Sequence, residues 1–390
     1  MTGPRIGLVT YSVKPRGGVA HTLWLAEALH RLGADVTVLA LGDSAGFFRP
    51  VAVPVKIVGP PAEGASLEER VFASVASLAA GLSVVADDFD LFHAQDCISA
   101  RAAARVRDGG AGVPVVRTVH HVDDFTTQAL IDCQHQAILE PDRALVVSEH
   151  WRTLLRDGYG VDAEVVYNGA DGRPFPPVPA GRRAALRHRI GAGDGRFVFL
   201  TVGGIEPRKG SAHLLAALAA LDALDPRPVL AIVGGHSFQD YRAYREAALA
   251  SLGPLGLELG RDVVLLGTVD DDELGDWYGV ADAFVFPSLN EGWGLVVLEA
   301  LSAGLPVVAT DIAVFREYLT DGKDALLVPP ADPSALARAM RAVATDAQLR
   351  HRLVRAGHRV ASRFTWEATA RRHLEIYGSV TSHPAGHRRR

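Results

Sequence analysis

The chain has little cysteine. Only Cys97 and Cys133 occur in 390 residues, and neither stands in a C-x-x-C or other metal-ligand spacing. A disulfide framework is excluded, and a reducing compartment fits. Long apolar runs are missing too. The longest, such as "VLAIVGG", are strand length, short of the ~18 residues of a membrane helix. There is no excess of positive charge: the formal net charge is -5, which leaves no overall nucleic-acid footprint. The start, "MTGPRIGLVTYS", enters a strand without a basic region and apolar signal core, so the expectation is a cytoplasmic protein. What is present is ordinary for a globular chain, 48% hydrophobic and 22% charged residues. The length exceeds what one hydrophobic core usually serves, so two domains are expected.

Short β-rich runs alternate with helical stretches. "RIGLVTYS", "DVTVLAL", "VKIVG", "LFHAQ", "PVVRTVH", "ALVVSE" and "AEVVYNG" read as strands in the first half. They are nearly continuous apolar runs, as parallel strands covered on both faces require. Between the first two, Val19, Leu23, Ala26, Leu29 and Leu32 share a helical face, and Gly33 stops it. "DGRPFPPVPAGRR" has the prolines of a linker at about residues 171–182. The alternation restarts with "FVFLTVGG", "VLAIVGG", "VVLLGTV", "AFVFPS", "PVVAT" and "ALLVP". From about residue 332 the chain reads as helix, with Trp366, Ala370, His373 and Tyr377 on one side of the last one. The expected fold class is α/β: two Rossmann-like doubly wound domains facing across a cleft, with ligands beyond the carboxyl ends of the strands.

Several segments carry chemistry. Gly17 and Gly18 precede a helix, where backbone can approach a phosphate; a tight turn explains them as well. "VGGIEPRKGS" is not a P-loop, because its order is Lys209-Gly210-Ser211. Arg208 and Lys209 before a helix suit a diphosphate, or form a solvated basic pair. In "NEGWGLVVLE", Glu291 and Glu299 are eight positions apart. A helix starting at Glu291 would set them ~12 Å apart along its axis. That is long for two carboxylates acting on one glycosidic bond, which sit ~5–9.5 Å apart. A sugar at one and a ribose at the other fits better. The plainer alternatives are a first-turn acid for Glu291 and a surface residue for Glu299. In "TVHHVDDF", His120 ends a strand, and Asp123 or Asp124 caps the next helix; no clustered ligand set completes a metal site. Asp270, Asp271 and Asp272 read as a helix N-terminus. "GRRAALRHRIG" is a basic helical face, solvated by default, with peripheral membrane contact as the alternative.

With these residues in view the chain resembles the family-4 retaining glycosyltransferases of the GT-B fold over nearly its whole length. The resemblance rests on "PSLNEGWGLVVLEALSAGLPVVAT", "DGKDALLVPPADPSALARAM", the closing "RFTWE", "VGGIEPRKG" and Gly17-Gly18. It implies an N-terminal acceptor domain over 1–172 with a crossing helix at about 366–378 and a donor domain over 173–365, while the closing "HPAGHRRR" reads by itself as a frayed terminus, a flexible basic tail over 379–390. It implies a nucleotide-diphosphate sugar as donor substrate, an unidentified small-molecule, glycan or lipid acceptor, retention of configuration, and no metal or other cofactor. Lys209 would hold the diphosphate, with Arg208 nearby. Glu291 would contact the donor sugar, Glu299 the ribose, and backbone near Val269 the base. The N–H groups of Gly292, Trp293, Gly294 and Leu295 would line sugar and phosphate, and His120 would sit beside the sugar. One position departs from the pattern: Gly204 stands where the family commonly has arginine, which implies a changed donor, a compensating arginine or weak activity. A sugar phosphorylase or epimerase of the same fold and a non-catalytic nucleotide-sugar or glycan binder stay open at this point.

Overall fold

The computed structural model describes residues 3–43, 46–171, 175–193, 195–235 and 241–382. The chain forms two compact units, Met1–Gly169 with Thr365–Arg390, and Ala170–Phe364.

The first unit runs β1 (Arg5–Thr10), α1 (Gly17–Arg31), β2 (Asp35–Leu41), β3 (Val55–Gly59), α2 (Leu67–Val85), β4 (Leu91–Ala94), α3 (Cys97–Val106), β5 (Val115–Val119), α4 (Gln128–Leu139), β6 (Arg143–Val146), α5 (Glu149–Tyr159) and β7 (Glu164–Val165). Its strands form a 7-stranded sheet in the order β3-β2-β1-β4-β5-β6-β7, and each neighbouring pair is parallel. Every β1 residue after Arg5 is buried, as the continuous apolar run requires. Helix α2 together with the 3-10 turn that follows it, Leu67–Asp88, is long and apolar enough to cross a membrane, with mean hydropathy 1.5 over its most apolar window. It corrects the reading that apolar stretches stop at strand length. In the fold it is a layer helix, with Val71, Val75, Leu78 and Leu82 buried. It packs so close to β3 that a Cβ at Gly81 would overlap the Val58 carbonyl.

The second unit runs α6 (Ala180–Arg189), β8 (Val198–Val202), α7 (Ser211–Ala219), β9 (Val229–Val233), α8 (Arg242–Ala250), β10 (Val263–Gly267), α9 (Asp271–Val280), β11 (Ala283–Phe286), α10 (Leu295–Ser302), β12 (Val307–Thr310), α11 (Ala313–Arg316), β13 (Leu326–Val328), α12 (Pro333–Thr345) and α13 (Ala347–Ala361). Its 6-stranded parallel sheet has the order β10-β9-β8-β11-β12-β13. The chain then returns to the first unit as α14 (Trp366–Ser382), whose Trp366, Ala370, His373 and Tyr377 are all buried.

Both sheets reverse their order beside their first strand, between β1 and β4 and between β8 and β11. Loops that leave neighbouring strands there diverge to opposite faces and open a binding site at the carboxyl edge.

Four local expectations need correction. The proline-rich segment is not a linker to residue 182, since α6 starts at Ala180; residues 172–174 lie outside the described residues. The proposed tail starts too early, because 379–382 continue α14, and 383–390 lie outside the described residues. The basic face of α6 is not merely solvated. Arg182 pairs with Asp276 at 2.8 Å, Arg187 with Asp282 at 3.1 Å and Arg189 with Glu273 at 2.6 Å, so the helix docks on α9 and its neighbours. Neither Asp123 nor Asp124 caps α4, which follows Thr127. Asp123 is instead fixed through its backbone, its N–H donating to Gln134 Oε1 at 2.8 Å. The Asp270 expectation holds, with its side chain accepting from the Glu273 N–H at 2.7 Å.

Candidate functional site

The switch point of the second sheet assembles one set of charged groups. Arg208 and Lys209 leave β8, and Glu291 leaves β11. Helix α10 starts at Leu295, so Glu291 lies in the preceding loop, not in the first turn that its spacing suggested. Glu291 Oε1 accepts from Lys209 Nζ at 2.6 Å and from Arg208 at 3.0 Å. Ser288 Oγ donates to the same oxygen at 2.7 Å. Ser288 was not singled out from sequence, although it stands three residues from Glu291 in the same loop. The Leu289 N–H donates to the Arg208 carbonyl at 2.7 Å and stitches the two loops together.

Two glycines permit this approach. Gly210 has φ +66, and a Cβ there would strike the Pro287 carbonyl. Gly294 has φ +84, and its Cβ would lie 2.6 Å from Phe315 Cε1. They are the N-cap residues of α7 and α10, and neither helix has a side-chain cap. The Ala212 N–H of α7 donates to the Tyr244 hydroxyl at 3.2 Å and the Val297 N–H of α10 to the Gly294 carbonyl at 2.9 Å, and the positive end of each helix follows the charged residues along the chain.

The electrostatics are asymmetric. Burial opposes the charge on Glu291, which is 7% exposed, but two cations outweigh it and hold the carboxyl at about 2. Lys209 sees one strong carboxylate against burial and the neighbouring Arg208, and it falls below the usual lysine range. Its ammonium also lies 4.6 Å from the centroid of the Phe286 ring. Arg208 is half-buried and points toward Glu291 and the Asn290 carbonyl. At Gly204 a Cβ would lie 2.9 Å from the Gly235 carbonyl and 3.0 Å from Glu206 Oε1. A pocket beside this set is lined by Gly203, Gly204, Lys209, Ser211, Ile232 and Phe286, among others.

The other expected donor residues are placed differently. Glu299, in the second turn of α10, is half-buried rather than a surface residue, and accepts from the Tyr278 hydroxyl at 2.9 Å. Gly292 is half-buried in the loop. The Trp293 indole is core, packed on Tyr318 and Phe364 with centroids 4.8 and 5.3 Å away, which leaves only its backbone for a ligand. Val269 follows β10 at the carboxyl edge of the same sheet and is half-buried.

In the first unit, α1 starts at Gly17 itself, so Gly17 and Gly18 form its first turn. A Cβ at Gly18 would lie 3.7 Å from His120 Cδ2. His120 follows β5, with Nε2 3.2 Å from Gln95 Oε1. Burial, then His121, Arg117 and His373, push its imidazole down to about 3, so the ring is neutral near pH 7, although its rim reaches solvent. Among the described residues, no group of three or more His, Cys, Asp or Glu side chains is arranged to hold a metal ion.

Two doubly wound sheets carry, at the second switch point, a lysine–glutamate–arginine set suited to an anionic ligand. Residues 182–360 match the family "Glycosyl transferases group 1", and residues 15–172 match "Glycosyltransferase Family 4". The phosphatidyl-myo-inositol mannosyltransferase of Mycolicibacterium smegmatis is 32% identical over 97% of this chain and 94% of its own. The D-inositol 3-phosphate glycosyltransferase of a Nocardioides strain is 31% identical over 74% and 67%. The fold is shared with Anabaena HepE in complex with UDP and glucose, at 22% identity and TM-score 0.79 over 96% and 99% of the two chains. The chain belongs to glycosyltransferase family 4. It is a retaining, nucleotide-sugar-dependent glycosyltransferase of the GT-B fold.

Proposed function

We propose that Lys209 and Arg208 bind the donor diphosphate and that Glu291 holds both cations in place while meeting the sugar hydroxyls. The observation that carries this is the convergence of Lys209, Arg208 and Ser288 on one oxygen of Glu291 at the switch point between β8 and β11. The chemical difficulty is cleavage of the bond between sugar C1 and a diphosphate oxygen, on which negative charge accumulates. Cations and helix N–H groups fixed before the reaction stabilise that charge, each such donor being worth ~2.7–4 kcal/mol in other enzymes. The acceptor hydroxyl attacks from the face that the leaving group vacates, a phosphate oxygen takes its proton, and the sugar retains its configuration. This route needs no protein nucleophile and no metal. Glu299 takes the ribose, the backbone near Val269 the base, and His120 a hydroxyl of the donor sugar. The inward course of Arg208 favours its acting in place of the arginine missing at Gly204.

The names of the two relatives share an inositol ring as acceptor, which supports a polyol hydroxyl as acceptor here. The test pairs UDP-, GDP- and ADP-sugars with myo-inositol 1-phosphate, phosphatidylinositol vesicles and an oligosaccharide. Release of nucleoside diphosphate and the product anomer are followed by NMR. We expect acceptor-dependent release with retention, unchanged by EDTA. Donor binding without turnover on any pair, or release of sugar 1-phosphate only with added phosphate, would overturn the proposal.

A further inference from the structure

Four buried or half-buried imidazoles meet in the first unit: His21 on α1, His93 on β4, His120 after β5 and His373 on α14. The His21 ring packs edge-on against His120 with centroids 4.6 Å apart. On its other sides it meets Trp366 at 5.3 Å and His373 at 6.4 Å. His21 Nδ1 lies 2.9 Å from Asn168 Oδ1, which fixes the ring plane. Its Nε2 is buried without a hydrogen-bond partner. That nitrogen is costly to bury, so packing constraints hold the ring there rather than a bond at that end. Behind it, His373 Nδ1 is 2.8 Å from the Thr369 carbonyl, and His93 bridges Tyr377 at 2.6 Å and Thr118 at 2.8 Å. His21 is 1% exposed.

We propose that His21 is a positioning residue for His120: wedged by Asn168 and Trp366, its ring fixes the orientation of the His120 ring and closes the inner side of that ring to water. The inference rests on the role given to His120 above. The groups facing His120 are His21 from α1, His93 on β4, Gln95 after β4, Arg117 on β5, the adjacent His121, and His373 from α14. Only Arg117 carries a fixed charge, and it also disfavours imidazolium. Opening the inner side to water would remove the main cause of the low proton affinity, which is burial. The folded value would then rise toward the ordinary ~6.5.

The test compares His21→Ala, His21→Phe and His120→Ala for kcat, donor KM, melting temperature and the pH dependence of kcat. A small misplacement of a positioned group costs up to about 100-fold in rate. We expect His21→Ala to lose about 10- to 100-fold in kcat at nearly unchanged donor KM, and to gain an acid limb centred near pH 6 that the wild type lacks. His21→Phe keeps a ring packed against His120 and Trp366 and loses only the bond to Asn168, so it should keep water from His120, retain the flat profile and recover more of the rate than His21→Ala. An unchanged kcat in His21→Ala overturns the inference. So does equal loss in the Ala and Phe variants with flat profiles, since that marks a structural role alone. Full activity of His120→Ala would instead sink the assignment of His120 itself.

Discussion

Replacing Glu291 with Gln keeps the shape of the side chain and removes its charge. Two cations would then converge on a neutral amide, with the Lys209 side chain only 16% exposed. Removing one partner of a buried pair costs about 3–5 kcal/mol, because the other charge stays buried and uncompensated. Proton linkage gives a similar size: a carboxyl moved from 4.5 to about 2 contributes about 3 kcal/mol at ~1.4 kcal/mol per unit. The folded value is depressed, so the unfolded chain takes up the proton first on acidification. The contribution is complete above about pH 5 and is lost as pH falls toward 2. Urea denaturation of wild type and Glu291→Gln should show a gap of about 3 kcal/mol at pH 7, shrinking to about half or less by pH 3, with unchanged slopes. A gap of equal size at both pH values would refute the reasoning, as would a variant as stable as wild type at pH 7.

Two other substitutions test the architecture of the loops. Gly294→Ala forces a left-handed backbone on a residue with a Cβ and drives it against Phe315, so stability should fall by about 2–4 kcal/mol; thermal denaturation checks this, and a neutral effect would contradict the close packing. Gly204→Arg restores the residue common in the family, but its Cβ meets the Gly235 carbonyl, so about 1–3 kcal/mol of stability should be lost without tighter donor binding in calorimetry.

Strand positions were legible because parallel strands buried on both faces leave continuous apolar runs, and each of the thirteen runs quoted corresponds to a strand. Charged groups at the second switch point were legible because their spacing belongs to a recognisable set of motifs. The start of α10 was not: it depends on a left-handed Gly294 held against Phe315, a residue 21 positions on. The direction of Arg208 is a rotamer choice made by a loop 82 and 83 residues away. The docking of α6 on α9 needs arginines to find acids 84 to 95 residues distant, which no local period announces. The Asp123 backbone is held by Gln134, a contact 11 residues along the chain, while α4 starts after Thr127 instead. The imidazole cluster joins α1, β4, β5 and α14, and its members are visible only once the last helix is seated on the first unit.

A donor diphosphate gripped by Lys209 must lose affinity when that ammonium is removed. Calorimetric titration of the nucleoside diphosphate into wild type and Lys209→Ala, with both shown to be folded by circular dichroism, tests it most directly. Affinity should fall by about 100-fold or more, the loss of one charge-assisted contact of ~3 kcal/mol. Equal affinities would contradict it.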